Sequence, residues 1–253
     1  MRRGKRLPGL TLAAGFTLHP FDKAHGVRTS GLIPGRHLKS GHRHDRHSTA
    51  YFGAAPSVFK AVLGAWRKSK PAARTEEFTF VDLGAGMGRA VLLASTLQFR
   101  AVVGVELNPT LARMARRNVA LWKRRGNARS AVTICCRDVM DYQLPAGPCL
   151  VFLFNPFGAT VMKRLLKQIA AHVARRRCPV DLIYVNDEQA AILRAHPDVE
   201  RLFRGRIRRS RSDAIADRAV MANQPEVEYA ADDYEHCSIW RWIDRGDKPR
   251  RSG

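Results

Sequence analysis

Three glycines spaced two apart, Gly84, Gly86 and Gly88, follow a short apolar run that contains one aspartate, Asp82. Glycine admits a positive φ and lets the backbone approach a ligand closely. A helix N-terminus beyond such a loop adds unpaired N–H groups. Glu106 closes a second apolar run 24 residues after Asp82, and Asp138 follows a third. A fourth run ends in Phe154-Asn155-Pro156-Phe157-Gly158, so a strand rich in apolar residues finishes on an amide, a proline and a ring. Carboxylates accept hydrogen bonds from hydroxyls and amines, and asparagine offers an acceptor and donors. Acidic acceptors and open backbone at several strand ends describe a pocket for a polar small molecule. A dinucleotide fingerprint of the form G-x-G-x-x-G, counted from Gly84, requires glycine at position 89, where the chain has Arg89.

The stretch Asp82-Leu83-Gly84-Ala85-Gly86-Met87-Gly88 resembles motif I of class I S-adenosylmethionine-dependent methyltransferases. The resemblance implies S-adenosyl-L-methionine as cofactor, with Gly84, Gly86 and Gly88 forming its loop. Asp82 then holds the loop or receives the cofactor's ammonium group, Glu106 bonds the ribose hydroxyls, and Asp138 lies near the adenine amino group. Carboxylate acceptors suit a vicinal diol and an exocyclic amine. Leu107, beside Glu106, packs either on the adenine or in the core. The resemblance covers roughly residues 50–190, and the last two strands fit the same fold. The segment before it is similar to that of a subgroup of uncharacterised bacterial members. Motif I also resembles, more distantly, that of the non-SET histone-lysine methyltransferases.

Asn155-Pro156-Phe157-Gly158 resembles the N/D-P-P-Y/F motif of amino-methyltransferases, with Phe157 where that pattern has its second proline and Gly158 where it has its aromatic. The resemblance implies that the Asn155 amide oxygen and the Pro156 carbonyl accept from a target amine while the ring packs on a planar substrate or the methyl donor. Methyl transfer from a sulfonium is an in-line displacement, so holding the nucleophile close and aligned supplies most of the catalysis. Asn155 cannot act as a base, and a protonated amine would lose its proton elsewhere, for example to water. Read structurally, Asn155 instead caps the following turn, since asparagine before proline starts many turns.

The elements that must position these residues follow from the hydrophobic pattern. Residues 56–67 place Val58, Phe59, Val62, Leu63 and Trp66 on one helical face. Strands are expected at 78–83, 101–107, 131–136, 149–154 and 180–185, with helices at 88–98, from Pro109 to a stop at Gly126, at 161–175 and at 188–195. Asn108 caps the second of these helices. Alternating strands and helices give right-handed crossovers and a parallel sheet covered on both faces. Two further strands, 199–207 and 236–243, joined by a polar loop at 208–233, form an antiparallel edge pair. The expected fold is α/β: a Rossmann-like, doubly wound, mostly parallel sheet of seven strands. Residues 1–50 form an irregular lead-in, 51–245 the methyltransferase domain, and 246–253 a disordered basic tail.

A hydrophobic share of 45% over 253 residues suits one folded domain and excludes a disordered chain. No uncharged apolar run is long enough to cross a bilayer, so no membrane partner is expected. Five cysteines, none in a C-x-x-C pair, read as free and mostly buried thiols, which points to a reducing, cytoplasmic setting. The net charge is +22, and 34 of the 44 basic residues are arginine. That charge fits contact with nucleic acid or simple arginine-rich usage on solvated helix faces. His42, His44, Asp45 and His47 form a dense cluster. Interleaved arginines and the lack of a distant ligand set argue against a metal there. Tyr51 and Phe52 either lid the cofactor or pack beneath the first helix, and Trp240 and Trp242, two apart in a strand, belong to the core. Two other functions stay open: a basic nucleic-acid-binding module with a vestigial cofactor pocket, and a nicotinamide-dependent oxidoreductase. The sequence leaves the methyl acceptor and the oligomeric state undefined.

Overall fold

The computed structural model describes residues 17–47, 49–222 and 233–243. The expected basic tail 246–253, the first part of the lead-in and the 223–232 part of the expected loop lie outside these residues.

Seven strands form one sheet: β3 Thr79–Leu83, β4 Ala101–Glu106, β5 Val132–Cys136, β6 Cys149–Phe154, β7 Val180–Val185, β8 Val199–Arg208 and β9 Tyr234–Trp242. Their spatial order is β5-β4-β3-β6-β7-β9-β8. The first five run parallel, and β9 pairs antiparallel with both β7 and β8. The expected seven-stranded sheet with an antiparallel edge is therefore present.

Each central strand alternates its side chains between two apolar layers. Phe80, Val102, Phe152 and Ile183 join one buried cluster with α2 (Pro56–Lys68), α3 (Arg89–Ser95) and α4 (Pro109–Arg124). Val81, Leu83, Val151, Leu182, Trp240 and Trp242 join the other with α5 (Ala159–Arg176) and α6 (Ala190–Arg194). Both tryptophans are thus core residues, as their spacing requires. Burial on both faces is why β6 reads as an unbroken apolar run. β5 is an edge, and α4 covers it: Arg116 donates to the Ile134 carbonyl at 3.1 and 3.2 Å, and Lys123 to that of Val132 at 3.1 Å. Some of the basic charge on α4 is therefore structural.

Two sequence expectations change. The 208–233 segment contains a helix, α7 (Arg211–Ala222), whose buried face carries Asp213 and Asp217. Ser210 opens it, its hydroxyl accepting from the Asp213 N–H at 3.1 Å. The described part of the lead-in is built of short elements: α1 (Pro20–His25), two 3-10 turns, and β1 (Leu32–Ile33), which pairs antiparallel with β2 (Tyr51–Phe52) just beyond the expected boundary at residue 50. Among the five free cysteines, Cys149 and Cys237 are buried and Cys136 is exposed, so not every thiol is interior.

Candidate functional site

In a sheet of this kind the crevice opens beyond the carboxyl ends of the strands, where the strand order reverses. Here that point lies between β3 and β6, which lead in opposite directions across the sheet. A cavity with about 1010 Å³ of empty space, its open mouth included, lies there. Of the residues singled out from sequence, Asp82, Gly84, Gly86, Glu106, Leu107, Asp138, Pro156 and Phe157 line it, whereas Gly88 and Asn155 do not.

The glycine loop has a positive φ at all three positions. At Gly86, where φ is +54°, an added Cβ would stand 2.2 Å from the Tyr51 ring. At Gly84 a Cβ would stand 2.4 Å from Cβ of Pro156. The loop is therefore sandwiched between the lead-in and the end of β6. Gly88 instead opens α3 and packs near Ala115 of α4.

Glu106 ties the loop to the second strand. Its Oε2 accepts from the Gly86 N–H at 2.7 Å and its Oε1 from the Asn108 N–H at 2.8 Å. Each oxygen keeps a lone pair for the cavity. Burial raises the Glu106 pKa, and the Asn108 and Gly86 N–H groups oppose that rise. Asp82 lies deeper and makes no hydrogen bond through its carboxyl among the described residues. Burial first, then the Glu106 charge, pushes it up to about 8. Burial disfavours its charged form, and no neighbouring cation or N–H group among the described residues offsets this.

Asp138 begins a 3-10 turn, its Oδ1 accepting from the Met140 N–H at 2.8 Å. Its Oδ2 pairs with His44 Nδ1 and lies 3.7 Å from His42 Nδ1. The sequence showed no distant partner for the histidine cluster; the fold brings Asp138 to it, with three candidate ligand atoms within 4.8 Å of one another. These atoms engage each other, since His42 Nδ1 also accepts from the His44 N–H at 3.2 Å. The arrangement is a hydrogen-bonded latch over this end of the cavity. Asp45 holds the latch loop by accepting from the Ser40, Gly41 and His42 N–H groups at 2.7–3.0 Å.

At the other end, Asn155 has a φ of +39°. Its amide Oδ1 accepts from the Tyr184 hydroxyl at 3.2 Å, so the side chain is turned toward β7 and away from the cavity. It does not cap the next helix, whose N-cap is Gly158. Thr49 of the lead-in closes over the same corner. Its hydroxyl donates to the Asn155 carbonyl at 2.6 Å, and its N–H to the Pro156 carbonyl at 3.3 Å. Phe52, Phe154 and Phe157 complete an apolar wall.

Several residues of the site were not found from sequence. Arg89, noted only as a missing glycine, is buried in α3 and lines the cavity. It donates to the Thr29 hydroxyl at 2.7 Å, the Thr29 carbonyl at 3.0 Å, the Ser30 hydroxyl at 3.2 Å and the Gly53 carbonyl at 3.1 Å. Asn108, expected only as a cap, accepts from Thr110 and Leu111 at 2.9 and 3.2 Å and also donates to the Leu38 carbonyl at 2.9 Å. Tyr51, by contrast, was named from sequence as either a lid or packing beneath the first helix; it lines the cavity and donates to the Thr29 carbonyl at 2.7 Å, which fixes its ring over Gly86.

No protein-family model matches the chain, and no curated protein does. Among solved structures, the chain is similar to an RNA methyltransferase from Salinibacter ruber in complex with S-adenosyl-L-homocysteine. The identity is 16%, the TM-score 0.42, and the match covers 76% of this chain and 94% of that one. It is similar to magnesium protoporphyrin IX methyltransferase from Synechocystis PCC 6803 with bound S-adenosylmethionine, at 11% identity and TM-score 0.46, over 74% of this chain and 79% of that one. It is also similar to an S-adenosylmethionine-dependent methyltransferase from Thiobacillus denitrificans in complex with S-adenosyl-L-homocysteine. That match has 12% identity and a TM-score of 0.45, over 74% of this chain and 92% of that one.

Proposed function

We propose that the chain is an S-adenosylmethionine-dependent methyltransferase acting on a nitrogen nucleophile. One observation carries this reading: the Glu106 carboxylate, anchored by the Gly86 and Asn108 N–H groups, faces the same cavity as the unpaired Asp82. The residues fit the cofactor by their chemistry. Glu106 would accept both ribose hydroxyls with its remaining lone pairs. Asp82 would take the ammonium group, and a cation there offsets the burial that now raises its pKa. Asp138 and Leu107 would border the adenine, with His44 giving way at Asp138. Bound there, the cofactor supplies an electrophilic methyl group.

This chain's own residues would hold and shield the reactants. Pro156 and Phe157 frame the acceptor end, and Gly84 sets their distance from the loop by its contact with Pro156. Asn155 shapes that end from behind through Tyr184. The Phe154–Phe157 segment brings no base, which suits a neutral nitrogen that needs only alignment. Its proton would pass to water after transfer. Nucleic acid, protein and small-molecule amines are all open as acceptors. The exposed Arg113, Arg117 and Arg124 of α4 and Lys163, Arg164 and Lys167 of α5 favour a polyanion among them.

Calorimetry with S-adenosylmethionine, S-adenosylhomocysteine and NAD tests the reading. Binding of the first two is expected; binding of NAD alone would overturn it. Transfer of labelled methyl to cell extract, followed by nuclease or protease digestion, then sorts the acceptor. Salt-sensitive RNA or DNA binding without any methyl incorporation would instead favour a basic binding module.

A further inference from the structure

A second cavity, with about 650 Å³ of empty space including its mouth, lies between α5 and the chain that follows Asp138. Leu83, Leu165 and Ile169 form its buried floor, and Tyr142, Gln143 and Arg175 border it. The first cavity's Val139 also lines this one, so the two share a wall. Two polar side chains that line it carry buried polar atoms without a hydrogen-bond partner among the described residues. His172 is 4% exposed, and neither of its ring nitrogens has a hydrogen-bond partner. Gln168 donates through Nε2 to the Met140 carbonyl at 2.5 Å, which fixes its amide, and leaves Oε1 buried and unpaired. Buried polar atoms are ordinarily paired. Burial, then the charges of Arg175 and Arg176, lowers the His172 pKa, so the ring is neutral, with one N–H donor and one lone pair.

We propose that this second cavity binds a small uncharged molecule that joins an apolar ring to a carboxamide or an equivalent donor–acceptor group. The ligand's N–H would donate to Gln168 Oε1, its oxygen would accept from the His172 ring N–H, and its ring would lie against Leu165 and Ile169. A carboxylate would set lone pairs against Gln168 Oε1. An ammonium would meet Arg175 at the border. Neither charge fits the donor and acceptor pattern.

The test uses the full chain with ¹⁵N-labelled histidine. Benzamide is titrated, with benzoate and benzylamine in parallel, and the His172 ring signals are identified by their loss in His172→Phe. Benzamide is expected to shift the His172 ring nitrogens saturably. Gln168→Leu, a change at a half-buried position that does not depend on the His172 variant folding, should weaken benzamide binding roughly tenfold. Equal or tighter binding of benzoate or benzylamine would overturn the ligand class. Unmoved His172 signals with all three probes would mean that the cavity holds only water, and would overturn the site. An unchanged benzamide affinity in Gln168→Leu would overturn it as well. None of these readouts uses S-adenosylmethionine, so they stand or fall apart from the methyltransferase reading.

Discussion

Glu106→Gln separates the two tasks assigned to this carboxylate. In the native side chain each oxygen accepts one backbone N–H, at 2.7 and 2.8 Å, and each keeps a lone pair toward the cavity. The amide keeps one oxygen and replaces the other with an NH₂ group. Whichever way it sits, that NH₂ faces either the Gly86 or the Asn108 N–H, donor against donor. One backbone N–H is then buried without a partner, at a cost of about 1–3 kcal/mol in stability. One of the two acceptors offered to a ribose diol becomes a donor, and the charge is gone. Hydrogen bonds to charged groups are worth about 1.5–3 kcal/mol, so the affinity for S-adenosylhomocysteine should fall about 10- to 150-fold. Titration calorimetry at pH 7 gives the affinity, and urea unfolding of the same sample gives the stability. Affinity within twofold of the native value, with stability lowered, would refute the ribose role and leave Glu106 as a loop anchor alone.

Three other outcomes are expected. The Asp82 acid is pushed up to about 8 from an ordinary 3.8, so between these pH values the folded state holds a proton that the unfolded state has lost. Its contribution to stability is therefore present at low pH and declines as pH rises toward 8. Urea unfolding of Asp82→Asn should lack that decline, and S-adenosylmethionine binding at pH 7 should release a proton, read from binding heats in buffers of different ionisation enthalpy. Gly86→Ala should both destabilise the fold by about 1–3 kcal/mol, through its left-handed backbone, and abolish measurable binding, because its Cβ meets the Tyr51 ring. Arg89→Met should cost about 3–5 kcal/mol in chemical unfolding, since it leaves the buried Asp22, 3.9 Å away, without its cation.

The central strands were legible because local pattern and global packing agree there. Residues 149–154 are apolar throughout, 180–185 are apolar apart from Asp181 and the Tyr184 hydroxyl, and both strands are covered on both faces. The glycine loop was legible because its backbone angles exclude most other residues. The lead-in was not, because its order comes from bonds across the chain. Asp22 accepts from Thr29 and Ser30, Arg89 reaches Thr29 and Gly53, and Asn118 clasps Arg28 through both its N–H and its carbonyl. Helix α7 escaped because its inward face carries carboxylates: Asp213 accepts from the Ser57 N–H at 2.8 Å and lies 3.4 Å from His19, both remote in sequence, and Asp217 lies 3.2 Å from Arg209, just before the helix. Its signal was nonetheless there, in Ser210 followed three residues later by Asp213, the spacing of a helix-capping pair. The turn of Asn155 away from the cavity rests on a left-handed φ that no pattern of residue types announces.

The weave of the lead-in through the rest of the chain also sets an order of events during synthesis. Thr29 and Ser30 leave the ribosome long before Arg89, and His19 long before Asp213. At about 5–20 residues per second, the interval between Asp22 and Arg89 is roughly 3 to 13 s. For that time a segment with a buried aspartate in its final state has no arginine to face. The roof over the glycine loop is thus among the last parts to settle, although it is among the first to be made, and the nascent lead-in must stay solvated until the walls beneath it exist.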